Sequence, residues 1–259
     1  MKIGVVLCTL GERSSLKHTF QSIEKIQDQI ELIVICPKDT YRNVLQKSQD
    51  FINPSNVEVF IQKNPGIYAC MNQGANLVKS KYVAFINDDD VLDNDIKKNL
   101  GILISEVKKH DVLLASSGIV GRKDYVEHPS DDYLNNILIG RMSASHQAQI
   151  WSLDTFKECG LFQESISLRI GLIKIEIDLQ IASDFNTYVS AFLRGKKIGR
   201  TEIIFSSYSI GGISDQRFNR RILETVVILY QKRLISIGRL FILLIRFQLS
   251  YVLRLFRYD

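Results

Sequence analysis

The sequence predicts an α/β domain with a mixed, mainly parallel sheet flanked by helices, followed by a C-terminal amphipathic helical extension. Three observations predict it. Short apolar runs rich in Val and Ile alternate with amphipathic stretches through the first half of the 259 residues, the strand-helix-strand order that builds right-handed parallel crossovers. One such run, Lys81 to Leu92 (KYVAFINDDDVL), stops in three consecutive aspartates. The charge is also unevenly placed: positions 215–259 hold nine Lys/Arg against three Asp/Glu, a net +6, which leaves −1 of the overall +5 for the first 214 residues.

The first strand, Lys2 to Thr9, runs into a polar turn at Gly11 to Ser14 and an amphipathic helix around Leu16 to Ile26. That turn holds one glycine, so it is neither a dinucleotide-binding G-x-G-x-x-G nor a P-loop. Strand Glu31 to Cys36, a helix near Tyr41 to Phe51, strand Val57 to Ile61 and a helix around Met71 to Val78 follow. After the Asp-ended strand come helix Asp95 to Lys109 and strand Val112 to Ser116. From Gly118 to Ser214 the pattern is less regular, with the polar cluster SASHQAQ, Ser183 and Asp184 opening a helix, and a loop from Ser209 to Ser214. Irregular connections on a regular scaffold are where specificity resides.

With 46% apolar residues there is ample core material, and four prolines with no Gly/Ser-rich tract leave no linker. One domain is therefore expected over 1–214, with an appended tail over 215–259. The body lacks the basic surplus that phosphate-backbone binding requires, which excludes a nucleic-acid binder. Cys8, Cys36, Cys70 and Cys159 have no paired spacing of the kind a zinc or redox site needs. The opening MKIGVVLCTL is too short an apolar run for a signal segment, and a reducing cytosol is the expected compartment.

Ligands of open α/β sheets collect at the carboxyl ends of the strands, where Asp88, Asp89 and Asp90 fall. Adjacent carboxylates repel unless a cation or hydrogen-bond donors hold them. Such oxygen ligands suit Mn²⁺ or Mg²⁺, which can clamp a diphosphate. The competing reading is that they cap the helix that follows.

Gly66 to Leu92 reads GIYACMNQGANLVKSKYVAFINDDDVL; further along stand HQAQIW at His146 to Trp151 and a Phe-x-x-x-Gly-x-Phe pattern at Phe156 to Phe162. IASDF at Ile181 to Phe185 and IGGIS at Ile210 to Ser214 complete the set. On these stretches, in this order, the chain resembles the inverting GT-A glycosyltransferases of family 2, in particular bacterial members that build surface polysaccharides. The resemblance implies a GT-A, Rossmann-like fold with a nucleotide-sugar-binding half at 1–117 and an acceptor and catalytic half at 118–214. It puts Thr9 and Asp39 around the base and ribose with Asn72 nearby, and Asp88 and Asp89 on ribose and metal-diphosphate. Asp89 and Asp90 would hold the Mn²⁺ or Mg²⁺, and Asp184 would be the catalytic base. His146, Gly211 and Gly212 are weaker candidates for acceptor or phosphate contact. Two positions depart from the group: Ala69 stands where it usually has Asp, and Asn87 replaces the first Asp of many DxD motifs. The run from Phe162 to Asp184 is also longer than usual.

The reaction this implies is direct displacement at the anomeric carbon of a nucleotide-diphosphate sugar, which needs charge stabilisation on the departing diphosphate and one carboxylate to take the acceptor's proton. A retaining route would need a second, nucleophilic carboxylate. Each residue also has a plainer reading. Asp184 or Ser183 can cap a helix, His146 can tie down a loop, Gly211 and Gly212 can be loop punctuation, and Thr9 and Asp39 are common strand-end turn residues.

Placed on a helix, residues 232–257 put Lys232, Arg239, Arg246, Arg254 and Arg257 in one stripe with Ser236 and Ser250, against Leu, Ile, Phe, Val and Tyr elsewhere. This is the pattern of an interfacial helix with arginines toward anionic headgroups, although a helix packed on the protein or on a second subunit has the same amphipathicity. The expectation is a hexosyl-transferring enzyme, peripheral on the inner face of the cytoplasmic membrane. Its donor is a nucleotide-diphosphate sugar, a UDP-sugar favoured, and its acceptor a lipid-linked glycan of O-antigen, capsule or exopolysaccharide synthesis. Two alternatives stand beside it. Ala69 and Asn87 fit a degenerate, non-catalytic membrane-associated scaffold. A sugar-phosphate nucleotidyltransferase would carry a glycine-rich signature after the first strand, which Leu10 to Ser15 does not supply.

Overall fold

Alternate residues of the central strands enter two different cores. The computed structural model describes residues 2–170, 173–212 and 216–239, together with Ile242 and Ile245. Strands β1 (Ile3–Cys8), β2 (Ile30–Cys36), β3 (Val57–Ile61) and β4 (Tyr82–Asn87) are parallel, in the order β3-β2-β1-β4. Val5, Leu7, Leu32, Val34, Ala84 and Ile86 face helices α1 (Leu16–Glu24), α2 (Tyr41–Gln49) and α4 (Ile96–Val107). Their neighbours Val6, Cys8, Ile33, Ile35, Val83 and Phe85 face the opposite core with α3 (Ile67–Leu77). The period of two along a strand makes this division, and burial of each Val, Leu, Ile or Phe contributes about 1.5–3 kcal/mol.

Helix α3 lies unusually close to β1. A Cβ at Gly74 would stand 2.3 Å from Val6 Cγ1, so glycine is what admits the helix at this distance. The helix begins at Ile67, four residues before the periodic stretch predicted from Met71, with Gly66 in a left-handed conformation at its start (φ 104°).

The second half is more regular than its sequence pattern. Strands β5 (Val91–Leu92), β6 (Val112–Ile119), β7 (Arg122–Glu127) and β8 (Gln149–Ser152) precede the hairpin of β9 (Ser165–Ile170) and β10 (Ile173–Asp178), and β11 (Ile198–Tyr208) comes last. The sheet continues β4-β8-β6-β11-β5 with β7 on β6, and β8 is antiparallel to both its neighbours. The predicted division at 117/118 therefore falls inside β6, and both halves share one sheet. The long run after Phe162 is the β9-β10 hairpin, which stands off the main sheet. Helices α5 (Tyr133–Leu138), α6 (Leu153–Glu158), α7 (Ser183–Leu193) and α8 (Phe218–Gln231) complete the chain.

Helix α8 lies beyond the expected boundary at 215. Ile222, Val226, Val227, Ile228 and Leu229 of α8 are buried in the same core as α3 and α7, and Ile235 beyond it is buried too. Apolar faces of this size are domain core, whatever the charge on the opposite side. A break precedes the stretch laid on a helix from Lys232: α8 ends at Gln231, Arg233 is left-handed (φ 59°), and Leu234 N–H bonds Leu229 O at 2.9 Å, a helix-terminating pattern. Lys232 turns inward, its Nζ donating to Ser190 Oγ at 2.9 Å, and burial lowers its pKa. Arg246, Ser250, Arg254 and Arg257 lie outside the described residues. No helix among the described residues is long and apolar enough to cross a membrane.

Candidate active site

Parallel register brings the ends of β1 and β4 side by side, with Cys8 opposite Asn87, so the next residues, Thr9 and Asp88, meet at the carboxyl edge. Thr9 Oγ1 donates to Asp88 Oδ2 at 2.8 Å and accepts from Gly11 N–H at 2.8 Å. Gly11 is left-handed (φ 80°), and a Cβ there would come 2.7 Å from Thr40 Cβ. The turn after β1 is thus seated against the turn after β2, which carries the exposed Asp39. Thr9, Asp88 and Asp39 lie along one rim, as parallel strand ends require.

The three aspartates have three different environments. Asp88 is 5% exposed, and burial raises its pKa against the opposing effects of Thr9 and Arg13. Asp89 is more open; Arg13 Nη1 donates to its Oδ2 and stands 3.5 Å from Asp88 Oδ1. Asp90 folds back into its own turn, where Oδ2 accepts Asn87 N–H at 2.8 Å and Oδ1 faces Gln147 Nε2 at 3.4 Å. At 1% exposure, its pKa is pushed up to about 7 by burial. Of the expected Asp89/Asp90 metal pair, Asp89 lies open beside Asp88 and shares Arg13 with it, while Asp90 is turned into its own loop. No group of three or more His, Cys, Asp or Glu side chains converges for a metal among the described residues. Mg²⁺-type ions are commonly held by one or two carboxylates with water and substrate phosphate, and Asp88 with Asp89 fits that donor set. The cation drawn to the spot here is Arg13.

Across the site, Asp184 opens α7. Its Oδ1 accepts Tyr68 Oη–H at 3.1 Å and Phe185 N–H at 2.8 Å, and its Oδ2 stands 3.7 Å from His146 Nδ1. Burial raises its pKa, with His146, the Phe185 N–H and Tyr68 acting in the other direction. Burial lowers the pKa of His146, against the pull of Asp184 and Asp89, and its buried Nε2 has no hydrogen-bond partner among the described residues. Asp184 stands in the first turn of α7 and its Oδ1 accepts the N3 N–H of Phe185, a capping contact that leaves Oδ2 toward His146, so the helix-cap reading and the catalytic one do not exclude each other. Gly211, left-handed at φ 86°, and Gly212 sit in the exposed loop after β11; Ser209 at its base donates to Asp89 O at 2.9 Å, which ties that loop to the acidic turn.

Asn72, expected near the nucleotide, has both ends of its amide in hydrogen bonds to the backbone. Its Nδ2 donates to Phe162 O at 2.8 Å and its Oδ1 accepts Phe162 N–H at 2.9 Å. The Phe-x-x-x-Gly-x-Phe pattern explains why: Phe156 and Phe162 both pack on Phe85, with centroids 4.9 Å away, and Asn72 clasps the intervening turn to α3. Asn72→Ala should lower the unfolding free energy by about 1–3 kcal/mol through the two unpaired backbone groups, while the folded variant keeps its nucleotide affinity. Denaturant unfolding and calorimetry with UDP check the two parts.

Sequence reasoning passed over Arg13, Tyr68, Gln147 and Ser209. Tyr68 was visible inside GIYACMN, and Gln147 adjoins His146; only their contacts reveal what they hold.

A parallel-edged mixed sheet with an acidic turn facing a buried carboxylate at a helix start defines the GT-A class of fold. The chain belongs to glycosyltransferase family 2, whose profile, described as Glycosyl transferase family 2, matches residues 4–167. Among curated proteins none matches the chain in sequence. Its fold is similar to that of S. aureus TarS 1–349, with a TM-score of 0.62 and 19% identity over 88% of this chain and 65% of that one. The same TarS fragment in complex with UDP-GlcNAc matches with a TM-score of 0.62 and 18% identity, over 88% and 66%. The mannosyltransferase PcManGT from Pyrobaculum calidifontis, in complex with GDP-Man and Mn²⁺, matches with a TM-score of 0.57 and 13% identity, over 91% and 65%. At these identities the likeness is one of fold.

Proposed function

We propose that the protein is an inverting, metal-dependent glycosyltransferase that moves a hexosyl group from a nucleotide-diphosphate sugar to a lipid-linked glycan in bacterial surface-polysaccharide synthesis. The observation that carries this reading is the convergence of Asp88, Asp89, His146 and Asp184 on one edge of the sheet in a family 2 chain. A UDP-sugar is the favoured donor, in keeping with the TarS complex with UDP-GlcNAc. Asp89 and Asp88 would hold Mn²⁺ or Mg²⁺, which when bound supplies positive charge against the departing diphosphate; the Mn²⁺ of the PcManGT complex supports this. Thr9 orients Asp88, while Asp39 faces the nucleotide from the neighbouring turn. Asp184 takes the proton from the attacking acceptor hydroxyl, with Tyr68 and the Phe185 N–H fixing its oxygens. Among the described residues the groups in contact with Asp184 are Tyr68, the Phe185 N–H and His146, which suits inversion by a single base. His146 is the candidate for an acceptor or phosphate contact, and the Gly211-Gly212 loop, tied to Asp89 through Ser209, is the candidate to close on the diphosphate.

A thermal-shift screen with UDP-, GDP- and dTDP-sugars plus Mn²⁺ tests the donor. A ligand at about 100 times its dissociation constant adds roughly 2.7 kcal/mol, enough for a clear Tm shift. Absence of both a shift and nucleotide release with any donor would overturn the reading. The pH profile follows from Asp184. Proton acceptance needs the carboxylate, and burial raises its pKa, so kcat/KM should fall with decreasing pH through a midpoint above the ordinary aspartate value of about 4.

The enzyme acts on the inner face of the cytoplasmic membrane, held there through the segment beyond α8. The net +6 of positions 215–259 supports it, and so do the exposed Ile237, Ile242 and Ile245. Each basic side chain near an anionic surface contributes about 1 kcal/mol. Because Ile235 belongs to the core, the informative truncation ends at Ser236. The full chain should float with anionic vesicles at low salt and less with neutral ones, and the truncation should not. Equal flotation of both chains, or none by the full chain, would refute the attachment.

A further inference from the structure

The turn that presents Asp184 is held from a part of the chain that no motif covers. Gln180 N–H donates to Glu224 Oε1 at 3.0 Å, and Ile181 and Ala182 N–H both donate to Oε2 at 2.9 Å. Glu224 lies on α8 and is fully buried. Arg220 Nε on the same helix donates to Oε1 at 2.8 Å, and its Nη2 reaches Asp178 O at 2.9 Å. Three successive N–H groups around one carboxylate form an anion-binding nest, and the positive end of α7 reinforces it. Ala182, the residue before α7, has no side-chain cap of its own. Glu224 therefore supplies from another helix the acceptors that a local cap would provide. Lys232 and Ser190 join α8 to α7 a second time, farther along both helices.

We propose that Glu224 is a positioning residue for Asp184, holding the 180–182 backbone so that α7 begins where Asp184 meets Tyr68 and His146. The inference rests on the reading of Asp184 as the proton acceptor. Asp184 is two residues from the last N–H that Glu224 holds, and its side-chain direction is set by the first turn of α7. Loosening that turn moves the carboxylate without touching the donor pocket. Misplacement of a reacting group by about 1 Å can cost on the order of 10²-fold in rate.

The test uses the full chain with Glu224→Gln, Glu224→Asp and Asp184→Asn, with UDP plus Mn²⁺ as the binding probe. In Glu224→Gln, hydrogen exchange at amides 180–182 should accelerate at least about tenfold, UDP affinity should stay within about twofold, and kcat should fall at least about tenfold with little change in donor KM. Glu224→Asp should recover part of kcat. Combining Glu224→Gln with Asp184→Asn should add little to the loss from Asp184→Asn alone, since both act on one step. Wild-type kcat in Glu224→Gln despite faster exchange, or fully additive losses, would overturn the proposal. If Asp184→Asn itself turns over normally, it is the assignment of the base that fails. Arg220→Gln keeps the nest filled but removes its cation, and serves if Glu224→Gln does not fold: a fall in kcat at unchanged UDP affinity supports the proposal, and wild-type kcat refutes it.

Discussion

Asp184→Asn should abolish most glycosyl transfer while leaving fold and donor binding intact. The amide keeps an oxygen to accept the Tyr68 Oη–H and Phe185 N–H, so the start of α7 has no reason to move. What it loses is the ability to take a proton. General-base removal typically costs about 10²–10⁴-fold, and burial, by raising the basicity of Asp184, argues for a loss well inside that range. Initial rates with a donor and acceptor pair, together with UDP calorimetry, measure both halves. Turnover near that of the wild type would leave Asp184 as a structural residue. Tyr68→Phe should give a smaller loss, since it frees one oxygen of the base without removing it.

The second large effect is expected at Asp89. Asp89→Ala should remove metal-dependent donor binding, whereas Asp90→Asn should leave it nearly unchanged. Loss of a residue that merely orients a metal ligand costs about 10–100-fold in metal affinity, so loss of the ligand itself should reach at least the upper end. Asp90, by contrast, faces Asn87 N–H and Gln147 inside the turn, so an amide of the same shape keeps an oxygen for the Asn87 N–H and offers its own N–H to the Gln147 side chain, whose amide can turn its oxygen inward. Calorimetry with UDP and Mn²⁺, repeated in EDTA, separates the two. Equal affinities for wild type and Asp89→Ala in both conditions would exclude a metal clamp at this position. A reversed order, with Asp90 essential, would mean that the turn rearranges when the donor binds.

Arg13 gives the pair a further reading. Its guanidinium occupies the anionic spot between Asp88 and Asp89, so like-charge repulsion is relieved in the free protein.

Much of the first half was legible because its signals are local. Apolar runs such as IGVVLC and IELIVIC have one stable solution beside amphipathic helices, a parallel sheet covered on both faces, and the strand end at Asn87 marks where the acidic turn must lie. Motif order singled out Thr9, Asp88 and Asp184, which the fold sets at the carboxyl edge of the sheet and at the start of α7. The short strand β8 was not legible, since its four residues, QIWS, have too little length to show a period and acquire their pairing only from β4 and β6. Nor was the fate of the C-terminal segment: an amphipathic stripe reports that a face will be buried, not against what. For α8 it is this protein's own core.

The sequence by itself determined the fold class, the order of the early elements and the types of group available for chemistry, because periodicity, turn residues and charge act over a few neighbouring positions. Only the tertiary structure decided which aspartates face outward, that Asn72 clasps Phe162, that Tyr68 and His146 flank Asp184, and that Glu224 holds the turn before it. The last three of these rest on contacts between residues 38 to 116 positions apart. They exist through the direction of a side chain in a finished core, and local sequence carries no term for that direction.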